Sequence, residues 1–312
     1  MVLGVIIPCY NEEEMLEETS RQLSALLFEM IENKAIDKQS FICFVDDGST
    51  DKSWQIIETL KEKNICFKGI KLSRNFGHQN ALIAGLMQMK EKADALISMD
   101  ADLQDDIRLI PQFVEKYKEG YEIVYGVRND RKSDSLSKRK TANFFYKFQH
   151  FMGIESIEHH ADYRLLSQKS LNALAHFEEV QLFLRGIVPM LGFRSCSLFY
   201  KREKRFAGES KYPLRKMLGF ALDGITSFSI RPLRFITAIG FLLFLLSILG
   251  IIWVFIEKFI LGNTVQGWSS MMVSIYFIGG IQIMSLGIIG EYVGRNYQQS
   301  KGRPRYIIEE EI

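Results

Sequence analysis

The 312-residue chain has no C-x-x-C pair, and its four cysteines, Cys9, Cys43, Cys66 and Cys196, are scattered along it. Three lie in or beside apolar, strand-like runs. That pattern argues against a zinc site and reads as small buried thiols in a reducing compartment. No G-x-G-x-x-G follows the first apolar run and no Walker lysine motif occurs. A dehydrogenase-type dinucleotide fold and a P-loop are therefore excluded, because their phosphates sit on a glycine-lined helix N-terminus. The N-terminal "MVLGVIIPCYNEEE" has no basic leader and too short an apolar stretch for a signal peptide. There is no internal repeat and no low-complexity tract. The formal net charge is only +2, from 39 Lys and Arg against 37 Asp and Glu, and no nucleic-acid partner is expected.

Charge is also missing from two long stretches of the last third. Phe235 to Ile256 and Trp268 to Gly290 are uncharged and apolar, and each meets the roughly 20 residues needed to cross the hydrocarbon core. Two membrane spans are expected. Lys211, Arg215, Lys216, Arg231 and Arg234 precede the first run, and Arg295, Lys301, Arg303 and Arg305 follow the second, while the connection holds only Lys258. The positive-inside rule then places both termini and the N-terminal domain in the cytoplasm. Leu214 to Ser229 has apolar residues at helical spacing, as an amphipathic helix in the membrane interface would. Small residues in "GGIQIMSLGIIG" allow close helix packing, within one chain or in a homo-oligomer. The boundaries expected are a domain over 1–210, a juxtamembrane helix over 211–232, two spans over 233–292 and a tail over 293–312.

The first 130 residues alternate β-rich and helical segments. "LGVIIPCY", "FICFVDDGS", "FKGIKLS", "ADALISMD" and "YEIVYGVR" read as strands, separated by amphipathic stretches of helix length. Such alternation predicts an α/β domain on an open, Rossmann-like parallel sheet. Residues 128–200 are less regular and rich in helix formers. Open α/β sheets bind ligands at the carboxyl ends of their strands. There the chain places "PCYNEEE", "VDDGSTD", "MDADLQDD" and the basic "GVRNDRK".

Four aspartates in "SMDADLQDD" follow an apolar strand. Crowded carboxylates repel and resist desolvation, so a counter-cation is expected. Asp100 and Asp102 are two residues apart and share a face on an extended strand. Hard oxygen ligands of this kind suit Mg²⁺ or Mn²⁺. Asp105 and Asp106 read as helix N-cap residues ahead of "IRLIPQF".

"IIPCYNEE", "VDDGSTD", "LSRNFGHQNAL" and "DADLQD", in this order, resemble the GT-A fold of family 2 inverting glycosyltransferases. With "ADYRLLS", "FRSCSLFYKREKRFAGESKYPLRKML", "ALDGITSFSIRPLR" and the two terminal runs, the whole chain resembles the polyisoprenyl-phosphate glycosyltransferases, the bactoprenol glucosyltransferase and dolichol-phosphate mannose synthase group. The segment "EEVQLFLRGIVPMLGF" departs from the family pattern, although Glu178 and Glu179 stand nearby.

The resemblance implies a nucleotide-sugar donor, UDP-glucose as first guess, and an undecaprenyl-phosphate-type lipid acceptor at the bacterial inner membrane. It implies metal ligation by Asp102 and Gln104, with Asp100 on ribose or metal. Pro8, Tyr10, Asn11, Glu12, Asp46 and Asp47 would hold the nucleoside. Arg128, Arg131 and Arg139 in one basic cluster, and Arg202 and Arg205 in another, would divide the acceptor phosphate and the donor diphosphate between them, or contact anionic headgroups. Asp102, Arg128 and Asp162 would be the catalytic set, Asp162 as base or positioning carboxylate. Two alternatives are a processive polysaccharide synthase, which needs the Q-x-x-R-W motif that this chain lacks, and a non-catalytic membrane scaffold, against which the full acidic constellation argues.

Overall fold

The computed structural model describes residues 1–128, 160–179, 184–201 and 267–312, with scattered positions between 233 and 260. These divide into two units, one formed by the N-terminal two-thirds with residues 303–312, the other by the C-terminal apolar segment.

The first unit is built on an eight-stranded mixed sheet of order β7-β5-β6-β4-β1-β2-β3-β8. Its strands are β1 (Leu3–Cys9), β2 (Phe41–Asp46), β3 (Phe67–Leu72), β4 (Ala95–Ser98), β5 (Ile123–Arg128), β6 (His160–Ser167), β7 (Ser195–Tyr200) and β8 (Ile308–Glu311). β1 to β4 are mutually parallel. Every residue of β1 and β2 is buried, as central strands covered on both faces must be. Helices α1 (Leu16–Glu32), α2 (Ser53–Lys63), α3 (His78–Met89) and α4 (Ile110–Lys118) are the connections expected from the amphipathic stretches. Gly85 lies inside α3, where glycine costs a helix about 1 kcal/mol against alanine. A Cβ there would come 2.5 Å from Ile6 and 2.6 Å from Val45 side chains, so the glycine lets α3 lie close on β1 and β2.

The sheet is not wholly parallel. β6 inserts antiparallel between β4 and β5, pairing Ser98 with Arg164 and Tyr125 with Arg164. β7 then lies parallel to β5. These two strands fall in the stretch expected to be rich in helix, which also holds α5 (Gln168–Leu174) and α6 (Leu184–Met190). Because β6 runs backwards, its first residues stand at the sheet end where β1, β2, β4 and β5 finish. Asp162 thereby joins the crevice.

The expected tail over 293–312 divides. Residues up to Ser300 continue helix α7 (Trp268–Ser300), whereas Ile308–Glu311 adds β8 antiparallel to β3. Gly69 and Ile312 exchange backbone bonds of 3.0 and 2.9 Å, and Ser73 donates to Ile307 O at 3.0 Å. Lys92 and Gln88 both bond Glu311, and Arg305 bonds Phe177 O. β8 thus covers an edge that would otherwise be open. Removing residues 303–312 is expected to lower the melting temperature by about 5–10 °C, since several net hydrogen bonds of about 1 kcal/mol are lost. Scanning calorimetry of the truncated chain checks this.

Among the described residues one helical stretch, Phe277–Ser300, is long and apolar enough to cross a membrane by length and composition. The juxtamembrane helix expected over 211–232 lies outside the described residues, and the expected first span is described only in part, with helical residues at 236–242 and at scattered positions up to 256.

Candidate active site

The carboxyl ends of β1 and β2 are tied together by short polar side chains. Asn11, at φ +54°, accepts from Thr50 N at 2.8 Å, while its own N–H donates to Ser49 Oγ at 2.9 Å. Glu12 N donates to Ser53 Oγ at 3.0 Å. Pro8 is buried within β1, and Tyr10 beyond it is 44% exposed. Asp46 is fully buried. Its Oδ2 accepts from Ser49 N, and its Oδ1 has no partner among the described residues. Burial raises its pKa.

Asp47 has a different occupation. Its two oxygens accept from Phe76 N at 2.7 Å and Gly77 N at 2.9 Å. Gly48, at φ +69°, lets the turn pass Arg74, whose carbonyl carbon would be 2.5 Å from an added Cβ. The carboxylate therefore anchors the loop that launches α3 and sets the position of His78 and Gln79.

The acidic turn follows β4. Asp100 is one-third exposed, and His78 Nε2 lies 3.4 Å from its Oδ1. Burial first, then the neighbouring carboxylates of Asp105, Asp162 and Asp102, push its pKa up to about 6, with His78 opposing. Leu103 takes φ +51°, and Asp102 Oδ1 accepts from Gln104 N at 3.2 Å. Gln104 is buried. No group of three His, Cys, Asp or Glu side chains converges as a metal cage among the described residues. Two strand-end carboxylates nonetheless fit a hard divalent ion whose remaining positions go to substrate phosphates and water, the usual arrangement for Mg²⁺.

Asp105 and Asp106, both expected as caps, part company. Asp106 accepts from Arg108 N at 3.0 Å and starts the turn into α4. Asp105 is buried and accepts at Oδ1 from Arg128 Nη2 at 2.8 Å, Arg128 Nε at 3.2 Å and the Tyr200 hydroxyl. Its role is to hold Arg128, which is the correction to the cap expectation. Arg128 and Tyr200 are register partners at the ends of β5 and β7.

Asp162 is the centre of a second network. Arg164 Nη2 bonds its Oδ1, while Arg185 Nη2 at 3.2 Å and Gln79 Nε2 at 3.1 Å bond its Oδ2. His78 Nε2 stands 3.9 Å away. Despite burial, the two guanidiniums hold this carboxyl far below the usual carboxylate range. Arg164 is itself fully buried and donates to Leu184 O at 3.2 Å. Leu184 N donates to Gln79 Oε1.

Expected site residues on the described strands thus converge on one sheet end, while Arg131, Arg139, Arg202 and Arg205 lie outside the described residues. The sequence reading left out His78, Gln79, Arg164, Arg185 and Tyr200. All but Tyr200 stand near Asp100 or Asp162, in "GHQNAL", "DYRLLS" and "LRGIVPM". Their wide separation in sequence gave no local spacing from which to infer a cluster.

Residues 4–175 match the family model described as Glycosyl transferase family 2. The chain belongs to this family. Residues 231–295 match a second model, GtrB C-terminal hairpin, which spans both apolar runs. A chain of Bacillus subtilis named an uncharacterized glycosyltransferase, YkoT, is 52% identical over 99% of this chain and 91% of its own length. The bactoprenol glucosyl transferase of Shigella phage SfX is 38% identical over 99% of both chains. The prophage bactoprenol glucosyl transferase homolog of Escherichia coli K12 is 37% identical over 99% and 98%. The family 2 glycosyltransferase therefore carries a GT-A-like mixed sheet with its acidic turn at the expected sheet end.

Proposed function

We propose that this glycosyltransferase moves a hexosyl group, glucose from UDP-glucose in the first instance, to a polyisoprenyl phosphate such as undecaprenyl phosphate. The observation that carries the reading is end-to-end similarity, at 38% identity, to a bactoprenol glucosyl transferase, hairpin included. The site chemistry supports it. In the reaction an acceptor phosphate oxygen bonds to the anomeric carbon while that carbon's bond to the diphosphate oxygen breaks, and the electron pair leaves with the nucleoside diphosphate. One displacement inverts the configuration.

The acceptor phosphate is already anionic near neutral pH, so no proton has to be removed. Asp162 suits this: with both oxygens engaged by Arg164, Arg185 and Gln79, it positions cations rather than acting as a base. Tyr10, half-exposed, and Asp46 Oδ1, without a partner among the described residues, would receive the base and ribose. Asp100 and Asp102, with Gln104, would hold Mg²⁺ or Mn²⁺, which when bound neutralises charge on the departing diphosphate. Arg128, fixed by Asp105 and Tyr200, offers a preorganised cation to a phosphate. The two apolar runs would be membrane spans, with both termini and the catalytic domain in the cytoplasm of a bacterium. Holding enzyme and lipid in one membrane raises their encounter.

Proton NMR of the purified lipid product tests the displacement. From an α-linked donor a β-anomeric signal is expected; an α signal would contradict single inversion.

A further inference from the structure

Two arginines face the acidic turn, and they differ in what their charge is spent on. Arg128 is matched by one buried carboxylate, Asp105, to which both its Nε and Nη2 donate. The second network is unbalanced. Asp162 is a single carboxylate bonded by two guanidiniums, and the first of these, Arg164, is completely buried with it. One negative charge against two positive ones leaves a positive charge over. That surplus resides on Arg185, whose side chain is 44% exposed. His78 Nε2 lies 3.4 Å from Asp100 Oδ1 and 3.9 Å from the Asp162 Oδ2 that Arg185 bonds, so Arg185 stands beside the acidic turn.

The position of Arg185 is braced from two directions. Gln79 holds Leu184 N and Asp162 together, and Arg164 holds Leu184 O. A half-exposed guanidinium fixed at one edge by a buried carboxylate, with no other hydrogen-bond partner among the described residues, is suited to a phosphoanion. We infer that Arg185 is a phosphate-binding residue of this site, taking either the lipid-borne monophosphate or the nucleotide diphosphate. The inference rests on the glycosyl-transfer reading for the identity of the anion, but not for the existence of the seat.

The test is an equilibrium titration of the full-length protein in detergent, independent of turnover. The probes are geranylgeranyl phosphate and UDP-glucose with Mg²⁺. Arg185→Gln is expected to weaken one of them by about tenfold or more, as loss of a charge-assisted hydrogen bond does, with Arg185→Lys recovering part of the loss. Weakening confined to geranylgeranyl phosphate assigns the acceptor phosphate; weakening confined to UDP-glucose assigns the donor. Both affinities within about twofold of wild type in a folded variant would overturn the proposal.

Should Arg185→Gln not fold, wild-type protein is treated with phenylglyoxal and the modified arginines are mapped by mass spectrometry. Saturating probe is expected to slow modification of Arg185. A rate unchanged by both probes would overturn the proposal. If one probe protects Arg185 while no hexosyl transfer is found, the seat stands and the transfer reading falls.

Discussion

Asp162→Ala is expected to destabilise the catalytic domain by about 3–5 kcal/mol, because it leaves the buried Arg164 guanidinium without its counter-charge. Arg164 is 1% exposed, and besides Asp162 its partner among the described residues is one carbonyl, Leu184 O. For a domain of this size the melting temperature should fall by about 10 °C or more, measured by calorimetry in detergent. A variant that loses activity but melts with wild type would instead show that Asp162 acts on substrate.

The pH dependence follows with a definite sign. The folded pKa of Asp162 is depressed by Arg185 and Arg164, whereas an unfolded aspartate titrates near about 3.9. On acidification the unfolded chain takes up this proton first, so stability from the group is complete above about pH 4 and is lost below it. Asp162→Asn should therefore be less stable than wild type at neutral pH, with the gap narrowing only below about pH 4 in urea titrations.

The second large effect concerns the acidic turn. Asp102→Ala is expected to reduce transfer by about a thousandfold or more, since charge on the departing diphosphate would lose its stabilisation. Folding should be nearly unaffected, as Asp102 is only partly buried at a turn. The expected signature is a melting temperature within about 2 °C of wild type, together with loss of the Mg²⁺-dependent part of UDP-glucose affinity in a calorimetric titration. A variant retaining near-normal transfer would remove "DADLQD" from the chemistry.

The legible part of this chain was its alternation. Apolar runs ending in polar corners gave the existence and order of β1 to β5 and α1 to α4, with ends off by up to four residues, because the central strands bury both faces and α1 and α4 bury one. What escaped was long-range pairing. β6 and β7 lie among helix formers and are recruited by β4 and β5 through contacts that no local pattern announces. The antiparallel sense of β6 is what turns Asp162 toward Asp100, and the ion pairs with Arg164 and Arg185 depend on it. β8 escaped for the same reason: a short charged segment, "IEEE", becomes a strand only because β3 offers an edge and Lys92 and Lys71 meet its glutamates. Asp105 was misjudged because a cap and a buried arginine partner look alike in one dimension.

Transfer of a hexose to a lipid phosphate can be followed directly. The most direct measurement follows label from a panel of nucleotide sugars into the organic phase, with purified protein, undecaprenyl phosphate and Mg²⁺ or Mn²⁺, with and without chelator. Lipid-soluble label is expected from one donor, UDP-glucose first, and is expected to be abolished by chelator. No label from any donor, with folded protein and competent acceptor, would contradict it.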